Sequence, residues 1–99
     1  MTVIHREYGE CKLSGDGFSG HRMRYSLVVY RDAHGNKRAD GRLDGASSVL
    51  RQAALTDKFV CIELKDGGTI MALISNVQSD GPTAHAKFIV SGPVPDIAT

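Results

Sequence analysis

The chain has 99 residues, of which 41% are hydrophobic and 23% charged, with no Trp and a formal net charge of +1. That length leaves room for one compact unit, and the composition excludes disordered and fibrous classes. A nearly balanced charge supplies no global field toward nucleic acid or anionic lipid, so any electrostatic recognition has to be local.

The opening residues, Met1 to Glu7, lack the apolar run of a secretory leader, and no stretch reaches the roughly 20 apolar residues of a membrane span. The expectation is a cytoplasmic chain with no membrane contact. Cys11 and Cys61 stand far apart and outside any C-x-x-C pair, which points to reduced structural thiols.

Tyr8 to Leu13 reads as a first strand. The stretch Gly15-Asp16-Gly17-Phe18-Ser19-Gly20 has G-x-G-x-x-G spacing, but a strand pattern follows it where a dinucleotide fold would place a helix, so it reads as a hairpin loop. From Arg22 to Arg31 the period is two: Met23, Tyr25, Leu27 and Val29 share the face expected to line the core, and Arg22, Arg24, Ser26, Val28 and Tyr30 share the other. Beyond the turn-forming Asp32-Ala33-His34-Gly35-Asn36, a third strand runs from about Lys37 to Asp44. Setting Arg31 opposite Lys37 pairs Val29 with Ala39, Leu27 with Gly41 and Tyr25 with Leu43, which keeps the apolar faces together. The same register sets Tyr30 opposite Arg38, Val28 opposite Asp40, Ser26 opposite Arg42 and Arg24 opposite Asp44.

Ala46 to Thr56 changes period. Val49, Leu50, Ala53 and Ala54 recur at helical spacing behind a capping Ser47 or Ser48, predicting a short helix that plugs one end of the sheet. Phe59 to Lys65 and Ile70 to Val77 then form a hairpin. A two-residue Gly67-Gly68 turn would pair Leu64 with Met71, Ile62 with Leu73 and Val60 with Ser75 on the inner face. Phe59, Cys61, Ile70, Ala72 and Ile74 would then face outward, an apolar surface that the helix or a second subunit has to cover, with Phe59, Ile70 and Ile74 as its contact residues. A last strand, Ala84 to Ser91, turns Ala86, Phe88 and Val90 inward. Gly92-Pro93-Val94-Pro95 ends the sheet, giving one domain over residues 1–92 and an extended, mobile tail over 93–99.

The order is three strands, a helix and three strands, mostly β, and a small antiparallel barrel of about six strands accommodates it. A helix between the third and fourth strands is similar to the OB-fold, while six short strands around one core also resemble PilZ-like and split barrels.

Arg22, Arg24, Arg31, Lys37, Arg38 and Arg42 against Asp32 and Asp40 give the stretch from Arg22 to Arg42 a net charge of +4. With Tyr25 and Tyr30 interleaved, it suits a phosphate or single-stranded nucleic acid, and Arg22, Arg24, Tyr30, Arg38 and Arg42 are the ligand-binding candidates. Arg38-Ala39-Asp40-Gly41-Arg42 has the R-x-x-x-R spacing that resembles the first half of the PilZ family's cyclic-di-GMP motif. The resemblance implies nucleotide binding through Arg38 and Arg42. The second half, D/N-x-S-x-x-G, is missing, because Asp44-Gly45-Ala46-Ser47 sets its serine one residue late and has no closing glycine.

His5, His21, His34 and His85 lack close ligand spacing, and no nucleophile stands beside a base, so neither a metal, a cofactor nor a catalytic residue is expected. The sequence thus points to a non-catalytic binding module, whose partner is a protein, a second copy of itself or a phosphate-bearing ligand.

Overall fold

The computed structural model describes residues 2–55 and 59–91. They form β1 (Thr2–Gly15), β2 (Phe18–Arg31), β3 (Lys37–Ala46), the helix α1 (Ser47–Leu55), β4 (Val60–Glu63), β5 (Thr69–Asp80) and β6 (Thr83–Ser91). The expected tail over 93–99 and the last expected helical residue, Thr56, lie outside the described residues. The strands form an antiparallel sheet in the order β1-β2-β3-β6-β5-β4 that closes into a ring where β4 meets β1. Among the described residues no helix is long and apolar enough to cross a membrane.

Alternation builds the core. Met23, Tyr25, Leu27 and Val29 of β2 are buried together with Ala39 and Leu43 of β3 and Ala84, Ala86 and Phe88 of β6, one side of each pleated strand facing in. All eight pairs expected between β2 and β3 are present, from Arg24 with Asp44 to Arg31 with Lys37. The loop between them is fastened by the Asp32 carboxylate, which accepts from the His34 and Asn36 amides and from Arg38 Nε at 3.2 Å. The Asn36 amide foremost, then Arg38 and the His34 amide, hold that carboxyl below its ordinary range. Arg38 is thus engaged by an acid at its own hairpin.

Gly41 marks the tightest approach in the ring. A Cβ built there would lie 2.1 Å from the Ser26 carbonyl oxygen and 2.6 Å from the ring of Phe88. Only a residue without a side chain lets the fully buried Phe88 fill the centre.

Helix α1 packs on β5, β6 and β3 through Val49, Leu50 and Ala53, the stripe read from the sequence. Ser47 Oγ bonds the Gly81 carbonyl at 2.8 Å, and Gln52 Nε2 donates to the Asp16 carbonyl at 3.3 Å. Those contacts tie the helix to the β5–β6 and β1–β2 turns, so it lies across the end of the ring where both turns sit. The glycine-rich stretch is itself the β1–β2 hairpin, Gly15 pairing with Phe18, as expected.

The β4–β5 hairpin departs from expectation. Its register is Val60 with Ala72, Cys61 with Met71, Ile62 with Ile70 and Glu63 with Thr69, displaced by three residues from the expected pairing. The cause is the turn. The Leu64 amide donates to the Gly68 carbonyl and the Gly67 amide to the Leu64 carbonyl, with Gly67 at φ +91°; Lys65-Asp66-Gly67 therefore makes a three-residue loop with glycine in the left-handed position. An odd displacement turns every β5 side chain over. Ile70, Ala72 and Ile74, expected outside, belong to the core, whereas Met71 and Leu73, expected inside, are exposed, and Ser75 goes outward with them. Ile70 and Ile74 are therefore not surface contact residues; of the three proposed there, Phe59 alone is exposed.

Candidate functional site

The outer surface of the ring divides into a polar half and an apolar half. On the polar half, the registers align a polar row across the sheet: Glu10 on β1, Arg24 on β2, Asp44 on β3, His85 on β6 and Gln78 on β5. His85 Nε2 is 2.9 Å from Gln78 Oε1. A shallow groove of about 490 Å³ runs over this row, lined by Glu10, Arg22, Arg24, Asp44, Asp80 and His85 among others. Arg22 and Arg24, expected to offer positive charge, thus share it with three carboxylates, two of them from β1 and β5. An anion entering there meets both signs.

The other candidates lie elsewhere. Tyr30 and Arg38 line a second groove of about 290 Å³ with Lys37 and Ile89, at the opposite end of β2. Eight residues separate Arg22 from Tyr30, about 27 Å at roughly 3.4 Å per residue. Arg42 stands between them in a row with Tyr8, Ser26 and Lys87. All five candidates share the outward face as expected, but they do not converge on one site.

On the apolar half, β5 and β6 set Leu73 directly opposite Ile89, and β4 sets Cys61 opposite Met71. Phe59 precedes β4 two residues before Cys61, on the same face by alternation. Phe59, Met71, Leu73 and Ile89 are 48%, 46%, 39% and 62% exposed, and helix α1 packs its buried stripe elsewhere. The apolar outer surface foreseen on this hairpin therefore exists, keeping Phe59 and Cys61 but with Met71 and Leu73 in place of Ile70, Ala72 and Ile74, and extended onto β6.

One cluster inside the ring had no signal in the sequence. Glu7 is the buried charged side chain among the described residues. It accepts the Tyr25 hydroxyl on Oε2 and lies 2.9 Å from His5 Nε2 through Oε1, so both carboxylate oxygens have partners. Burial, followed by the bond to Glu7, raises the Tyr25 hydroxyl well above the ordinary tyrosine range. Finding this cluster requires knowing that β1 begins six residues before Tyr8 and points its odd positions inward.

Burial also pushes the Cys11 thiol up to about 11 from an ordinary 9.0, against a smaller opposing bond to the Met23 backbone. A folded value above the unfolded one means stability that is complete below pH 9 and lost as pH rises through 11; Tyr25 acts the same way, its share complete below pH 10. The urea midpoint should therefore fall between pH 9 and 10.5, and Cys11→Val should flatten the earlier part of that fall. An unchanged profile in the variant would remove Cys11 as a cause.

Among the described residues no three His, Cys, Asp or Glu side chains gather as a metal shell. No protein-family model, curated protein or solved structure matches the chain.

Proposed function

We propose that this chain is a small, non-catalytic β-barrel module that binds another protein on the outer face of β4, β5 and β6. The observation that carries the reading is the cross-strand pair Leu73 and Ile89, exposed side by side with Met71 and Phe59. Scattered single apolar residues on a surface need no explanation; neighbours in register on adjacent strands form a continuous patch, and such patches mark contact sites. A partner burying this patch removes apolar surface from water, at about 25 cal/mol per Å².

Nucleotide or single-strand binding through Arg22, Arg24, Tyr30, Arg38 and Arg42 is the weaker reading. Phosphate recognition needs cations focused on one place, whereas these five are spread along β2 and β3 and share the surface with Glu10, Asp44 and Asp80. The half-motif that resembles PilZ has Arg38 already on Asp32.

Site-specific photo-crosslinking in the native cell separates the two. A crosslinker at position 73 or 89 should give one discrete adduct, and the same group at Arg22 or Gln78 none. Adducts of equal yield at all four positions, or none at any, would overturn the reading. Shifts of the Arg38 and Arg42 amides on adding cyclic-di-GMP or a single-stranded oligonucleotide would establish the alternative instead.

A further inference from the structure

The join that closes the ring leaves part of β1 unpaired. β1 has 14 residues and β4 has four, and the two pair over Lys12 with Glu63, Leu13 with Ile62 and Ser14 with Cys61. Among the described residues, the portion from Thr2 to Glu7 therefore has β2 on one side and no strand on the other. The Leu64 amide bonds the Gly68 carbonyl across the hairpin, so alternation turns the backbone groups of Glu63 and Cys61 toward β1, where they meet Lys12 and Ser14. The even positions of β1, Arg6 and Tyr8 among them, thus present N–H and C=O to the open side. A row of this kind is a template on which a second copy of the same strand can pair.

Lys65 stands across that row. Its Nζ donates to the Tyr8 carbonyl at 3.2 Å, and its stem lies where a side chain at position 9 would stand, since a Cβ built on Gly9 would be 2.9 Å from Lys65 Cδ. Glycine at that position is what admits the stem. Glu10 and Glu63 line the same groove as Lys65, yet the hydrogen bond of the ammonium goes to the β1 backbone. A strand arriving at this edge has to displace it.

The rest of the edge is marked in the same way. The register shift between Val3 and His5 bends β1 beyond Arg6. Glu7 turns a carboxylate into the ring, where Tyr25 and His5 hold it; sliding β1 by one residue to fit a new neighbour would strip it of both partners. A lysine, a bulge and an inward-pointing charge are means by which sheet edges are kept from pairing. All three occur on this one stretch.

We infer that Lys65 is a built-in guard: by holding the Tyr8 carbonyl it keeps the open edge of β1 from pairing with β1 of a second copy, and the bulge and Glu7 complete the protection. Edge and apolar patch share no residue, so this inference does not rest on the partner proposed for Leu73 and Ile89.

Sedimentation of the full chain tests it. Arg6→Pro removes an outward N–H from an edge strand, a place where proline is tolerated, and should leave the mass of the otherwise natural chain unchanged at every concentration. Lys65→Ala, an exposed change, should keep the natural circular dichroism spectrum and raise the mass toward twice the natural value as concentration rises, with slower hydrogen exchange at the Arg6 and Tyr8 amides. Lys65→Met, which keeps the stem over Gly9 and loses the donor, should shift the mass in the same direction. Adding Arg6→Pro to Lys65→Ala should return the mass to the natural value, whereas Lys12→Ala, on the part of β1 already paired with β4, should not raise it. Lys65 variants that sediment as the natural chain does, association that Arg6→Pro fails to reverse, an equal rise from Lys12→Ala, or natural chains that Arg6→Pro separates would each overturn the inference.

Discussion

Replacing Gly41 by Ala should cost about 3 kcal/mol of unfolding free energy, at the upper end of the range for an overfilled core, and Gly41→Val should leave no cooperatively folded protein at 37 °C. A methyl at that position meets a backbone oxygen, the Ser26 carbonyl, at 2.1 Å. A flexible side chain could swing aside; a carbonyl fixed in the β2–β3 ladder moves only with its strand. Urea titration followed by circular dichroism measures the loss, and a Gly41→Ala variant within 0.5 kcal/mol of the natural chain, roughly the scatter of harmless surface changes, would refute the close approach.

The second large effect is the reciprocal one. Phe88→Ala should destabilise by about 3–5 kcal/mol, since it removes a fully buried aromatic ring and leaves a cavity that strands on all sides prevent from collapsing. Phe88→Leu keeps most of the volume and should cost less. Because Phe88 supplies part of the clash at Gly41, the double variant Gly41→Ala with Phe88→Leu should lose less than the two single losses added together. Strict additivity would mean that the Ser26 carbonyl alone excludes a side chain at position 41.

How far the sequence reveals this arrangement differs from strand to strand. β2 and β3 alternate cleanly, with Tyr25, Leu27 and Val29 set against Arg24, Ser26 and Tyr30, so a single register satisfies both faces and it is the one present. β4 and β5 are apolar on both faces: Val60 and Ile62 lie inside with Ile70 and Ile74, yet Met71 and Leu73 lie outside. With no polar face to hold the strand, periodicity is equally content with two registers, and the turn decides. Gly67-Gly68 resembles a two-residue turn, whereas the loop uses Lys65, Asp66 and Gly67.

The start of β1 was illegible for a related reason. The shift between Val3 and His5 breaks the alternation there, so Val3 and Ile4 are both exposed and no period of two survives. Without that strand, the buried Glu7 cannot be read. The alternation places the arginines on the outward face, as observed, but Asp80, which shares their groove, comes from β5, whose place across β6 from β3 only the ring order supplies.

The meeting of β4 with β1 carries a further consequence. Six strands are joined into a cylinder by a clasp three residue pairs long, while the other five joins are longer. Unfastening Lys12–Ser14 from Cys61–Glu63 costs fewer ladder bonds than parting any of the other neighbours, and it leaves a curved six-strand sheet still wrapped around Phe88. The molecule therefore has a built-in line of rupture, and thermal breathing that uncurls the cylinder should begin there, with the helix end still held by Ser47 and Gln52.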